Sequence, residues 1–147
     1  MILEKIIGSL NEVQPGKEII TLPFEWYEQN NKILKKAASS GEEIGVRLAN
    51  PEPLYDGAVL FEDENKVIAL SLVPCEVTRV YATSIEEMGR ACYELGNRHV
   101  PLSFEDDCVC VPYDRPTFEY LKKKGFCCEL SVEKFCPQVM VRGHSHG

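Results

Sequence analysis

Histidine is the residue this chain nearly lacks: three occur among 147 residues, at His99, His144 and His146, and the first 98 positions hold none. Their placement, at a helix-to-strand hand-over and in a terminal segment, exposes the rings through backbone geometry or freedom, which points to metal handling. Long hydrophobic runs are missing too. No apolar stretch approaches the roughly 20 residues of a membrane span, and the start carries Glu4 and Lys5 where a leader would set a basic region before an apolar block. A cytoplasmic address is the expectation. Basic charge is in deficit, with 16 Lys and Arg against 23 Asp and Glu and a net charge of -7. Neither half offers a positive footprint for a phosphate backbone, which argues against nucleic-acid binding.

Cysteine is present but unpatterned. Seven occur, an odd number, at positions 75, 92, 108, 110, 127, 128 and 136. The absence of Cys-x-x-Cys argues against a disulfide framework and a zinc knuckle, so these read as reduced thiols. There is no glycine-rich phosphate loop and no serine or cysteine set beside a recognisable base motif. The protein is therefore not expected to be an enzyme.

What is there is an ordinary globular composition, 44% hydrophobic and 27% charged, long enough for one medium domain or two small ones. A boundary is expected at Leu72-Val73-Pro74-Cys75, dividing the chain into domains 1–74 and 75–147. The first reads as β-rich, with strands over 2–7, 18–22, 45–48, 58–61 and 66–72 separated by Ser39-Ser40-Gly41, Asp56-Gly57 and Asp63-Glu64-Asn65. Trp26, Asn30, Ile33, Leu34 and Ala37 have helical spacing, which places a short helix there.

The second domain reads more sharply. A strand over 76–82 leads to a helix with Ser84 as N-cap, Glu87 completing a capping box, and Ile85, Met88, Cys92 and Leu95 as its apolar face. Gly96 is expected as the left-handed residue past its end, and Pro101 forbids resumption. A strand over 100–104, a polar turn at Glu105-Asp106-Asp107 and a strand over 108–113 follow. Asp114 then caps a second helix with Pro116 in its first turn, Phe118 and Leu121 on its apolar face, and Lys122-Lys123-Lys124-Gly125 closing it. A last strand covers 127–135. The fold class is α+β, a small β-rich domain followed by a ferredoxin-like βαββαβ domain whose two helices cover one sheet face and leave the other open unless something covers it.

Gly96-Asn97-Arg98-His99, after the Met88–Leu95 helix and before Val100-Pro101-Leu102, resembles the signature of the UreE family of nickel metallochaperones, which serve urease maturation. The opening residues 1–8, the 44–48 strand, Asp106-Asp107, Tyr113-Asp114 and the ending Arg142-Gly143-His144-Ser145-His146 also resemble that family, so the likeness spans nearly the whole chain. The resemblance implies a homodimer formed through the second domain and delivery of nickel during urease active-site assembly. It further implies, as partners, the accessory GTPase and urease apoprotein, and a peptide- or partner-binding role for the first domain.

One imidazole cannot hold a borderline cation tightly, but a two-fold axis brings two copies of His99 to one ion, and His144 or His146 adds nitrogen from the tail. The metal ligands expected are thus His99, His144 and His146. Such a site exchanges its ion readily, which suits a carrier. Imidazole favours nickel, zinc or copper over magnesium or calcium; choosing nickel among these follows from the resemblance alone. Cys108 and Cys110 share one face of a strand and read as buried core rather than as a dithiolate, Glu105-Asp106-Asp107 as a solvated turn, and Asp114 as a cap. The competing function is a protein-interaction adaptor with incidental metal binding; a weaker option is a thiol-based redox or copper protein.

Overall fold

Alternating apolar residues dictate strands through the first half of the chain. The computed structural model describes residues 1–140, and the chain divides into two compact units, Met1–Val73 and Pro74–Gly147. The first unit holds β1 (Ile2–Leu3), β2 (Gly8–Ser9), β3 (Glu18–Phe24), β4 (Ile33–Ala37), β5 (Glu43–Arg47), β6 (Ala58–Glu62) and β7 (Lys66–Leu72), with single 3₁₀ turns at Leu10–Glu12 and Trp26–Glu28. One sheet runs β1-β5-β4 and the other β2-β6-β7-β3.

Ile20, Leu22 and Phe24 of β3, spaced by two, meet Leu3, Leu34, Ile44 and Val46 from the smaller sheet in one buried cluster. This joint core holds the two sheets together. Central β7 pairs with β3 on one side and β6 on the other. Its Ile68 and Leu70 enter the main cluster, whereas Val67 and Ala69 pack with Val59 beneath Leu10 and Val13. Burial on both faces explains its nearly continuous apolar sequence.

The helical spacing around Trp26–Ala37 does not produce a helix. After the 3₁₀ turn, Ile33–Ala37 forms β4, antiparallel to β5 through a register that sets Leu34 against Val46 and Lys36 against Ile44. Leu34 is buried while Ile33 is 68% exposed, so one residue of the supposed apolar face faces solvent. Pairing across the Ser39-Ser40-Gly41 turn, with Ala38 N–H donating to the Glu42 carbonyl at 2.8 Å, outweighs the local periodicity.

The second unit follows the order β8 (Cys75–Tyr81), α1 (Ile85–Asn97), β9 (Ser103–Phe104), β10 (Cys108–Pro112), α2 (Arg115–Lys123) and β11 (Cys127–Glu133). Its sheet order, β11-β8-β10-β9, is that of the βαββαβ fold. Ala91 and Leu95 of α1 and Leu121 of α2 pack on Val80, Val109 and Val111, so both helices cover the same sheet face.

Three local expectations change. Ile85 is 92% exposed, and Ala91 joins Leu95 in the core instead. Helical side chains lean toward the N-terminus, so a first-turn residue projects past the end of the packed surface. Ser84 accepts from Glu87 N–H as expected, but the Glu87 carboxylate returns to Thr83 N–H at 2.8 Å rather than to Ser84. The strand expected over 100–104 shortens to two residues, because Pro101 brings no N–H; Leu102 bridges to Val139. The sheet face away from the helices is covered in part: Val77, Cys108 and Cys110 on it are buried, whereas Cys127 is exposed.

Helix α2 ends by a Schellman arrangement: Gly125, at φ 96°, donates to the Lys122 carbonyl and Phe126 to that of Leu121, both at 3.0 Å. A side chain built on Gly125 would meet no atom within 4 Å. Any cost of Gly125→Ala is therefore conformational, about 1–2 kcal/mol, and urea unfolding is expected to show that loss. An unchanged midpoint would mean the left-handed turn is dispensable.

Candidate metal centre

The end of α1 repeats the bonding at the end of α2, with a histidine in the glycine's place. Gly96 remains within the helix, contrary to expectation, and the left-handed residue is His99, at φ 57° the one non-glycine with positive φ among the described residues. His99 N–H donates to the Gly96 carbonyl at 3.1 Å, and Val100 N–H to that of Leu95 at 3.4 Å. Val100 packs with buried Leu95, completing the hydrophobic contact of this motif. The helix thus continues to Asn97, and the reversal falls three residues later than the glycine suggests.

Arg98, the capping residue, explains why the last turn is held. Its Nε donates to Thr117 Oγ1 at 3.0 Å and its guanidinium lies 5.0 Å from the centre of the Tyr120 ring, both on α2. The Tyr120 hydroxyl in turn donates to Glu94 at 2.7 Å. Two helices are therefore tied together one residue before His99. The imidazole itself is exposed, and it stands at the carbonyl end of α1. A β-substituted residue in this conformation costs about 1–2 kcal/mol, borne here by an exposed ring that the core does not use.

His144 and His146 lie outside the described residues. The described chain nevertheless comes back toward His99: Val139 pairs antiparallel with Leu102, its carbonyl accepting from Leu102 N–H at 2.8 Å. Gln138 accepts from Phe104 N–H through its side chain.

A second group of possible ligands appears on β10. Glu105 Oε, Cys108 Sγ and Cys110 Sγ all lie within 4.8 Å of one another. The sulfurs are 3.9 Å apart, and Glu105 stands 3.9 Å from Cys108 and 3.8 Å from Cys110. Arg79, opposite Cys110 in the sheet register, bonds Glu105, reaches Glu133 at 3.3 Å and approaches Cys108 Sγ at 3.7 Å. The core reading of Cys108 and Cys110 is right about burial and incomplete about surroundings, because charged groups stand beside both sulfurs. Burial pushes the Cys110 thiol up to about 12, helped by neighbouring Cys108.

Glu105 was expected in a solvated turn with Asp106 and Asp107. Its N–H donates to the Cys108 carbonyl at 2.9 Å, closing a turn that folds the carboxylate back over the strand. The signal was available as an acid three residues before Cys-x-Cys, but such spacing acquires meaning only once the turn is known. Elsewhere, Asp114 accepts from Thr117 N–H at 2.8 Å as the cap of α2. Cys127 is exposed whereas Cys128 packs on the core, consistent with opposite faces.

Because His99 occupies a glycine's position, His99→Gly is expected to stabilise the protein by about 1 kcal/mol. Urea unfolding measures this; a loss of stability would show that the imidazole supports the fold instead.

The chain matches two family descriptions, "UreE urease accessory protein, N-terminal domain" over residues 3–72 and "UreE urease accessory protein, C-terminal domain" over 75–147. It is similar to the urease accessory protein UreE of Acetivibrio thermocellus, 38% identical over 126 residues covering 85% of this chain and 82% of that one. The protein of the same name from Actinobacillus pleuropneumoniae is 39% identical over 131 residues, 85% and 70% of the two chains. That of Flavobacterium johnsoniae is 33% identical over 149 aligned positions, covering 100% and 90%. With both halves matched and the βαββαβ unit in place, this chain belongs to the UreE family of urease accessory proteins, a family of urease maturation.

Proposed function

We propose that this protein is a nickel-binding metallochaperone that delivers Ni(II) during urease active-site assembly. The observation that carries the reading is His99: an exposed imidazole held in a left-handed backbone at the carbonyl end of a helix. Strain at an exposed ligand-type residue supports a functional role, since packing gains nothing from it. Family membership supplies the urease context, and the choice of nickel over zinc or copper rests on it.

A carrier needs donors that hold and release. In this reading one His99 from each of two protomers meets a shared ion, and His144 or His146 contributes a further nitrogen. The tail has the reach for this. Val139 to His144 is five residues and His99 to Leu102 three, so extended chain covers at most about 17 Å and 10 Å respectively, starting from the Leu102–Val139 bridge. Self-association is proposed through unit 74–147, where Phe104, Val139 and Met140 leave apolar surface exposed on the segments leading to and from that bridge. Unit 1–73 is proposed as the peptide- or partner-binding part. The partners proposed are the urease accessory GTPase and, with it, urease apoprotein.

The location proposed is the cytoplasm; among the described residues no helix is long and apolar enough to cross a membrane. Hydrolytic or redox catalysis is not part of the proposal.

Calorimetric titration of Ni(II) is expected to give one ion per two chains for the wild type and at least about tenfold weaker binding for His99→Ala, with a smaller loss for the joint replacement of His144 and His146 by alanine. Urease activation in cells should fall in parallel. If His99→Ala binds nickel and activates urease like the wild type, the chaperone reading fails and the adaptor reading replaces it.

A further inference from the structure

We infer that Cys108, Cys110 and Glu105 form a second cation site, built for a thiophilic ion of tetrahedral preference such as Zn(II), on β10 and its preceding turn. It goes beyond the nickel reading and does not depend on it, since it shares no residue with His99.

Geometry supports this first. With metal–sulfur bonds of about 2.3 Å, the tetrahedral edge between two thiolates is about 3.8 Å; the sulfurs stand 3.9 Å apart. With a metal–oxygen bond of about 2.0 Å, the sulfur-to-oxygen edge is about 3.5 Å, against 3.9 Å from Cys108 to Oε1 of Glu105 and 3.8 Å from Cys110 to Oε2. A single Glu105 oxygen lies within 4.8 Å of both sulfurs, so one ion fits among three donors once the carboxylate turns toward the strand. A disulfide fits much less well. Residues two apart on a strand have Cα atoms about 6.5–6.8 Å apart, the extreme of disulfide reach, so the pair remains a dithiol.

The surroundings also fit a cation better than an apolar core. Two thiolates, Glu105 and Glu133 bring four negative charges, of which Arg79 offsets one and a divalent ion two more. Glu133, 3.3 Å from Arg79, keeps the guanidinium beside Cys108, where it serves as an outer partner to a metal-bound sulfur. Buried thiolates select soft or borderline ions over magnesium and calcium. On binding, two metal–sulfur bonds form as two S–H protons pass to water, and no electron moves. Three protein donors leave the fourth position to water.

Co(II), with its near-ultraviolet thiolate charge-transfer absorption, is the probe, titrated into the reduced full-length chain without oxygen and then displaced by Zn(II). The wild type and His99→Ala are expected to show the band equally, Cys108→Ser/Cys110→Ser to lose it, and Glu105→Gln to bind about tenfold more weakly. Circular dichroism checks that each variant folds; if the double serine variant does not, Glu105→Gln, altered at a surface carboxylate, decides. A wild type without the band, a band surviving the double substitution, loss of the band in His99→Ala, or unchanged affinity in Glu105→Gln would each overturn the proposal. Nickel titrations with and without His99→Ala are compared in the Cys108→Ser/Cys110→Ser background, so either site can fail without the other.

Discussion

The left-handed backbone at His99 is the constraint on which the candidate metal centre depends. An α-helix leaves its last carbonyls unpaired, and a Schellman end satisfies them only if one residue turns to positive φ. Helix α2 meets this requirement with Gly125; helix α1 meets it with His99, and the two ends are otherwise bonded alike. Glycine takes that conformation freely, histidine at a cost of about 1–2 kcal/mol. The buried Leu95 and the packed Val100 on either side of the turn hold the backbone there, so the ring's departure angle is set by the core beneath it. Arg98 adds a lateral tie to Thr117 and Tyr120. An exposed imidazole thus acquires the placement of a buried one without losing access to solvent.

Strand alternation separates this unit's structural and chemical faces. Along β10, Val109 and Val111 enter the core beneath the helices, while Cys108 and Cys110 turn to the other face with Arg79. One five-residue strand therefore carries packing and soft-donor chemistry at once, because its side-chain period is two. The two donor sets differ in kind. His99 offers an exposed nitrogen suited to exchange, and the thiols lie buried behind a carboxylate and a guanidinium. The first unit supplies no residue to either set; its two sheets close on a common apolar core.

The fold was legible wherever several local signals agreed. For α2, an Asp114 cap, an early proline, three lysines and a glycine at the exit all marked the same helix, and no tertiary partner contradicts them. The segment 26–37 had periodicity alone, without cap or exit signal, and β5 recruited its second half as a strand. Gly96 was misleading for a related reason. Glycine near a helix end is the usual reversal residue, but the turn's position depends on where Leu95 and Val100 meet the core.

Sequence by itself determined the βαββαβ order, the two-part organisation of patterning about Pro74, and the isolation of His99 from any other histidine in the first 143 residues. These are consequences of local periodicity, capping chemistry and composition, which need no distant contact. Only the tertiary structure decided that His99, rather than Gly96, carries the left-handed turn, and that Glu105 and Arg79 stand beside Cys108 and Cys110. Both depend on closing a turn against neighbours remote in sequence, Thr117 and Tyr120 on α2 and Arg79 on β8, whose positions no local pattern encodes.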